Sequence, residues 1–537
     1  MKPERIIKHA RQQLFLGLDF STQGLKSTLI DRAGQVKAEM AVQFDAALPE
    51  FKTRGGVHRQ ADGLTVTAPP LMWVAALDVL LTRMRKDRWP LARIAAISGS
   101  GQQHGSVYLK HGARAALGTL NHRQALREQL ADIFSFDRSP IWMDSSTTRQ
   151  CRQRDAALGG AQAVAQLTGS RSYERFTGNQ IAKFYEQHPD LYAATEHIAL
   201  VSSFAASLLI GDYAPLEPGD GAGMNLMNIR TRDWAASALR CTAPGLAKRL
   251  GAIVPAHQVI GNLSRYFVQR YGFAPQTTVI AFSGDNPNSL AALGLARSGD
   301  IAISLGTSDT VFGALSAPRP SASEGHIFGN PINPRGYMVL ICYKNGSLTR
   351  EWARDEYAHS SWKAFAEELA ATPPGNGGRI GFYFKEPEIT PLALKPGIYR
   401  FGPSSRPAWF TRAQNIRAVV EGQFLSMRLH SGNLGLEPHT LLATGGASVN
   451  SSLLQVMADV FGREVLVSRQ SNSASLGAAL RALHGWHCWR ARKFVPFANV
   501  AQPASSFRAA AEPDRSRHRL YTALLPRYAQ LEQKVIS

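Results

Sequence analysis

LFLGLDFSTQGLKSTLID, Leu14 to Asp31, and GDIAISLGTSDTVFGAL, Gly299 to Leu315, decide the fold. Each reads as an apolar strand, a tight turn of glycine and small hydroxyl residues, and a second strand. Such a turn aims hydroxyls and backbone N–H groups at one point, which suits phosphate oxygens. One turn of this kind is a weak signal. Two, one in each half, predict a duplicated architecture that holds one nucleotide with both halves. Ser21 and Thr22 stand in the first turn, and Gly306 and Thr307 in the second. The first hairpin also carries Asp19 at its strand end and Lys26 beyond the turn. A carboxylate near a polyphosphate commonly marks a magnesium site.

The 537 residues exceed what one hydrophobic core organises, so two large domains are expected. Hydrophobic residues at 44% and charged residues at 19% are an ordinary globular mix. No apolar run approaches the roughly 20 residues that cross a bilayer. The opening MKPERIIKHARQQ lacks the apolar centre of a secretory signal. It is basic, but with Glu4 and no serine it reads as a ragged start rather than a transit segment. The four cysteines, Cys151, Cys241, Cys342 and Cys488, are widely spaced with no CxxC pair. That speaks against a disulfide framework or a zinc site and fits a reducing cytosol. The net charge of +20 is unusual. Lys and Arg are scattered, densest around WHCWRARKF and PDRSRHRLY, which reads as a solvated basic surface rather than a nucleic-acid face.

Strand and helix signals alternate along the chain. LMWVAALDVLLTRMRK has helical spacing, RIAAISGSGQQHGSVYLK reads as strand, loop and strand, and IALVSSFAASLLIG as a buried helix. TTVIAFSGD reads as a strand with NPNSLAALGLA as the helix after it, and TLLATGG and SSLLQVMADVFG repeat the unit. This alternation predicts the α/β class. The Pro-containing connector FAPQTT places a boundary near Phe273–Thr277, giving domains of 1–274 and 275–537. Residues Ala501–Arg517, rich in Ala, Ser and Arg, read as a loosely packed surface link.

Five stretches carry candidate chemistry. In SGDNPNSL, Asp285 ends a strand and begins a helix, the place of an N-cap and equally of a general base for a hydroxyl proton. Beside two phosphate turns the base is favoured. In SGSGQQHGS, glycines frame Gln102, Gln103 and His104, a polar array for a polyol or a plain turn. In SRSYERFTGNQIAKFYE, Arg175 is placed to bond a carbonyl or hydroxyl, or to pair with Glu174 at the surface. In LLATGGASVN, Gly445 and Gly446 end a strand and admit a flat ligand, with Asn450 in reach of its polar edge. Trp362, in HSSWKAF, is a stacking partner for adenine or a packing residue.

Taken together, these stretches resemble the FGGY family of carbohydrate kinases. The resemblance runs from about Leu14 to Gly485 and is carried by LDFSTQGLK, SGQQHGSVY, WMDSSTTRQC, LTGSRSYERFTGNQIAK, GMNLMNI, FSGDNPNSL, SLGTSDTVF, NPINPRGYM, YKNGSLTRE, EGQF and ATGGASVN. It implies two actin-like (ribonuclease H-like) ATPase domains around a deep catalytic cleft. Domain 1–274 would hold the sugar and the first phosphate turn. Domain 275–537 would hold the catalytic Asp285, the second turn and the adenosine side. The implied reaction is transfer of the γ-phosphate of MgATP to O5 of D-xylulose in the cytoplasm. The product, D-xylulose 5-phosphate, would feed the pentose phosphate pathway. Asp285 is implied as base and sugar ligand, with Asn286, His104 and Arg175 as further sugar contacts. Trp362, Gly445, Gly446 and Asn450 fall on the adenosine side, and Asp19 holds hydrated Mg2+. Partners are expected to be these small molecules, with no membrane and no specific nucleic acid, in a monomer or homodimer. Ser21 stands where many members have glycine. The alternatives are a ribulose or glycerol kinase of the same family, and an actin-like ATPase that phosphorylates nothing.

Overall fold

In the computed structural model, which describes residues 13–468, 474–500 and 507–537, both hairpins form. Strand β1 (Leu14–Phe20) pairs antiparallel with β2 (Gly24–Asp31), which pairs with β3 (Val36–Gln43). Every residue of β1 is buried, because it lies mid-sheet with elements on both faces. Helix α1 (Pro70–Lys86), buried at Met72, Trp73, Leu77, Leu80 and Leu81, packs on β2 and β3. Burying each such side chain contributes about 1.5–3 kcal/mol. Strand β4 (Ile94–Gly101) runs parallel to β1 and sets Ser100 beside Asp19.

Farther along lie helices α2 (Thr177–Gln187) and α3 (Val201–Ile210). The segment expected to be wholly helical divides here: Thr195–Leu200 is a strand, paired antiparallel to Ser106–Lys110, and only then does α3 begin. Strands β5 (Val259–Asn262), β6 (Thr278–Ile280) and β7 (Ser283–Gly284) complete a seven-stranded sheet in the order β5-β6-β4-β1-β2-β3, with β7 also on β4. The run TTVIAFSGD is thus two short strands, both parallel to β4, broken at Ala281 and Phe282. Helix α4 (Asp285–Leu293) comes directly after.

The second sheet repeats the first. Strand β8 (Asp300–Leu305) pairs antiparallel with β9 (Asp309–Leu315). Strands β10 (His326–Gly329) and β11 (Tyr337–Tyr343) extend the β9 edge. Next come helices α5 (Ser347–Tyr357), α6 (Trp362–Ala371) and α7 (Arg412–Asn433). Strand β12 (Thr440–Thr444) runs parallel to β8, as β4 does to β1. Helix α8 (Ser451–Phe461), strand β13 (Val465–Ser468), strand β14 (Phe507–Ala511) and helix α9 (Arg515–Ile536) complete the chain.

The chain divides into two compact units, and not at 274/275. The first unit runs to Ala296 and adds Phe328–Tyr337 and the helix Ala474–Ala491. The second takes Arg297–Ile327, the chain from Met338 to Ser468, and the residues from Phe507 onward. The reason is sheet pairing: β6 and β7 extend the first sheet through β4, which carries α4 and Asp285 into the first unit. The helix Ala474–Ala491 packs against β1 and α4. It approaches β1 so closely that a Cβ on Gly17 would lie 1.9 Å from the Ser475 carbonyl oxygen. The stretch read as a surface link is partly structured, since Phe507–Ala511 pairs antiparallel with β13. Residues 501–506 of that stretch, and residues 1–12 of the basic start, lie outside the described residues. Among the described residues no helix is long and apolar enough to cross a membrane.

Candidate active site

In the first unit, β1 delivers Asp19 to its C-terminal end. The carboxylate is buried and accepts hydrogen bonds from Ser100 Oγ at 2.5 Å and from Ser21 Oγ. Burial raises its proton affinity above the ordinary value, against the two serines and the charge of Lys26, its cross-strand neighbour. In the adjoining turn Ser21 N–H donates to the Gly24 carbonyl at 3.0 Å, and Thr22 Oγ1 accepts from Trp142 Nε1 at 2.8 Å.

The loop after β4 holds His104 at φ +70°, a strained conformation for a residue with a Cβ. Its ring stacks on Phe176 at 4.4 Å, and Nδ1 lies 2.8 Å from the Gly223 carbonyl. A carbonyl only accepts, so Nδ1 carries the proton and Nε2 is left as an acceptor. Burial, reinforced by the nearby Arg175 charge, pushes the imidazole down to about 3 and keeps it neutral. Arg175 lies over Tyr173 at 5.1 Å and over Phe176 at 6.0 Å. Phe176 thus touches both expected sugar contacts.

Asp285 is not the N-cap of α4. Gly284 is, with extended backbone, and Asp285 is the first helical residue. One of its carboxylate oxygens accepts from Asn286 N–H at 2.8 Å and from Asn286 Nδ2 at 3.1 Å. Burial first, and then the charge of Asp19, push this carboxyl up to about 7, against the N–H groups around it. A carboxyl poised near neutral pH suits general-base work. Asn286 Nδ2 also donates to Gln103 Oε1 at 2.9 Å, which ties the base to the His104 loop. Asp19, His104, Arg175, Asp285 and Asn286 therefore come together in one unit.

The second unit holds the other expected residues. Gly306 and Thr307 form the turn between β8 and β9, with Thr307 exposed. Behind the turn, Asp309 and Arg350 are fully buried and paired bidentately at 2.6 and 2.9 Å, while Ser347 N–H donates to the Gly306 carbonyl at 3.0 Å. Gly445 lies just past β12 at φ +85°, and a Cβ there would lie 2.5 Å from the Leu305 carbonyl oxygen. Only glycine meets both conditions. Among the described residues, its chain neighbours aside, none stands within 4 Å of where a Cβ on Gly446 would be. Asn450 caps α8, its Oδ1 accepting from Leu453 N–H at 3.1 Å. Trp362 opens α6, which packs against α8; it is 41% exposed, with the Arg354 guanidinium 4.8 Å from its ring centre. Its ring also packs edge-on against Phe365, with 5.4 Å between ring centres.

Three residues escape sequence reasoning. Ser100 lies within a motif, SGSGQQHGS, but its bond to Asp19 depends on the register of β4 against β1. Asp220, in GDGAGMNL, is an acid in a glycine-rich stretch, and that is its one local signal. Arg481 is fully buried and donates to the carbonyls of Ala256 at 2.9 Å and Ala281 at 2.8 Å, just before Ser283. Nothing near it in sequence marks that role.

Residues 137–294 match the N-terminal domain, and residues 301–486 the C-terminal domain, of the FGGY family of carbohydrate kinases. The xylulose kinase of Mus musculus is 50% identical over 100% of this chain and 97% of its own length. Xylulose kinase 2 of Arabidopsis thaliana is 47% identical over 91% of this chain and 90% of its own. Among solved structures, a xyloylose kinase from Brucella ovis superposes with a TM-score of 0.80 at 22% identity, covering 97% of this chain and 99% of that one. Plasmodium falciparum glycerol kinase with ADP gives 0.74 at 14% identity, covering 97% and 98%. At such identities the structural likeness speaks for the fold, which is the two-domain actin-like ATPase fold.

Proposed function

The chain belongs to the FGGY family of carbohydrate kinases, and we propose that it phosphorylates D-xylulose at O5 with ATP, giving D-xylulose 5-phosphate and ADP. The observation that carries the substrate is half-identity to animal xylulose kinase along the whole chain. What supports it is that a neutral imidazole with an arginine near it, and a carboxyl near neutral proton affinity bonded to a carboxamide, belong to the first unit, where the carboxamide also bonds the residue next to that imidazole.

In this reading Asp285 accepts the O5 proton as O5 bonds to the γ-phosphorus and the bond to the β-phosphate oxygen breaks. Asn286, whose Nδ2 is occupied by Gln103 and Asp285, offers Oδ1 to a sugar hydroxyl. His104 Nε2 accepts another, and Arg175 donates to the ketose oxygen. The turns at Ser21–Thr22 and Gly306–Thr307 take the phosphates. Trp362, Gly445, Gly446 and Asn450 take the adenosine.

The residues fit a magnesium ion. Asp19 is a buried carboxylate whose charge already disfavours ionisation of Asp285, and a cation relieves both. Asp19 would hold the ion through water, and when bound the ion neutralises charge on the phosphates. This reading sets the reaction in the cytosol, which the wide spacing of the four cysteines, with no CxxC pair, supports.

A coupled ADP-release assay across D-xylulose, D-ribulose, pentoses and glycerol tests the reading. D-Xylulose should give the highest kcat/KM, and ATP turnover should need added sugar. Preference for D-ribulose or glycerol overturns the substrate. Turnover without sugar overturns the kinase.

A further inference from the structure

The polar chain that holds Asp285 continues beyond Asn286. Gln103 Oε1 takes the Asn286 amide, and Gln103 is itself buried. Its side chain lies across Gly284, where a Cβ would come within 2.4 Å of Gln103 Cγ. At the far end of this trapped amide, Nε2 is enclosed with no hydrogen-bond partner among the described residues. The same holds for Oδ1 of Asp220, a residue only 2% exposed. The two groups are close enough for the Gln103 amide to favour the charged form of Asp220. An amide donor and a carboxyl acceptor, both without another partner, are matched to each other.

Asp220 is held rigidly. Its other oxygen accepts from Ser202 Oγ on α3, and its N–H donates to Glu217 Oε1 at 2.8 Å. Glu217 in turn accepts from Ser283 Oγ in β7, two residues before Asp285. A buried carboxamide can be flipped end for end at small steric cost, exchanging donor and acceptor. One orientation gives Asn286 an acceptor, and the other gives it a repelling N–H. A carboxyl facing Nε2 selects the first.

We propose that Asp220 is a positioning residue of the sugar site, which through Gln103 fixes the amide of Asn286 and with it the carboxylate of Asp285. Its free oxygen is sealed from solvent and so from the sugar, and it acts only through Gln103. Burial, with the charges of Glu217 and Asp285 behind it and the Ser202 hydroxyl against it, pushes this carboxyl up to about 8. The inference rests on Asp285 and Asn286 being the sugar contacts.

A double-mutant cycle tests it. Asp220→Ala should raise the KM for D-xylulose by roughly tenfold, the scale of one buried hydrogen bond, and leave the KM for ATP within about twofold. Asp220→Asn, which keeps an acceptor at that place, should restore the sugar KM. Gln103→Met should reproduce the loss, and combining it with Asp220→Ala should add nothing. If Asp220→Ala does not fold, Asp220→Thr replaces it, with its hydroxyl toward Ser202 and its methyl toward Gln103. Losses that multiply, an unchanged sugar KM, or equal rises for sugar and ATP overturn the inference. A wild type that neither binds nor phosphorylates D-xylulose overturns the functional reading and this inference with it.

Discussion

At Asp285 two demands meet on one side chain. As the proposed base it must carry a negative charge to accept a proton, yet burial and Asp19 disfavour that charge. Its proton affinity sits at about 7, against about 4 for a carboxyl in the unfolded chain. Between those values the folded state keeps a proton that the unfolded chain has released, so stability falls as pH rises across that window. Asp285→Asn removes that loss, and Gly284 remains the cap. At pH 8 its melting temperature should equal or exceed that of the wild type. Its kcat should drop by about 10²–10⁴-fold, with D-xylulose binding retained in calorimetry. A kcat within a few-fold of wild type removes Asp285 from the mechanism. For the wild type, kcat/KM for D-xylulose should decline below about pH 7, the value set by this carboxyl. A profile flat to pH 5 assigns the base elsewhere. As candidates, Asp285, His104 and Arg175 could be picked from the sequence because each sits in a motif with its own turn or aromatic signal. Asp220 could not, because its meaning is the buried amide at its side.

Among the elements, the second hairpin depends on what stands behind it. The Asp309–Arg350 pair is fully buried, so removing one partner leaves a charge in a low-dielectric place. Arg350→Met should destabilise the protein by about 3–5 kcal/mol in chemical denaturation, and Asp309→Leu with Arg350→Met should recover most of it. A loss under about 1 kcal/mol for the single variant places the pair in a wetter site than the structure gives. Gly445→Ala forces a side chain into positive φ and against the Leu305 carbonyl. It should raise the KM for ATP at least several-fold while the KM for D-xylulose holds, since the proposed adenosine contacts lie in the second unit and the proposed sugar contacts in the first. Strands and helices with strong periodicity, β1, β2, α1 and α8, were legible locally. The break between β6 and β7 was not, because it falls inside VIAF, an unbroken apolar run, and is set by how β4 accepts the segment.

Over the whole molecule the charge of +20 has no counterpart in the site. If it is a solvated surface, binding to duplex DNA should be weak and should fall steeply between about 50 and 200 mM salt, as counterion release requires. Fluorescence anisotropy measures it, and tight sequence-selective binding at physiological salt demands a second activity. Unit membership belongs to the same scale. The connector FAPQTT marks a real turn, but strands β6 and β7 beyond it return to the first sheet, as does the helix Ala474–Ala491.

The sequence alone determined the α/β class, the two hairpins, the resemblance to sugar kinases and the residues expected at each ligand. These signals are local: turn chemistry, periodicity and motif order all act within a few residues. Only the tertiary structure decided that Asp285 belongs to the first unit, that Gly284 caps its helix, and that Asp220 stands behind Gln103. It also decided that Arg481 braces Ala281 from 200 residues away. Such contacts arise from which strands pair and which faces they bury, and a buried polar group takes whatever partner that packing leaves beside it.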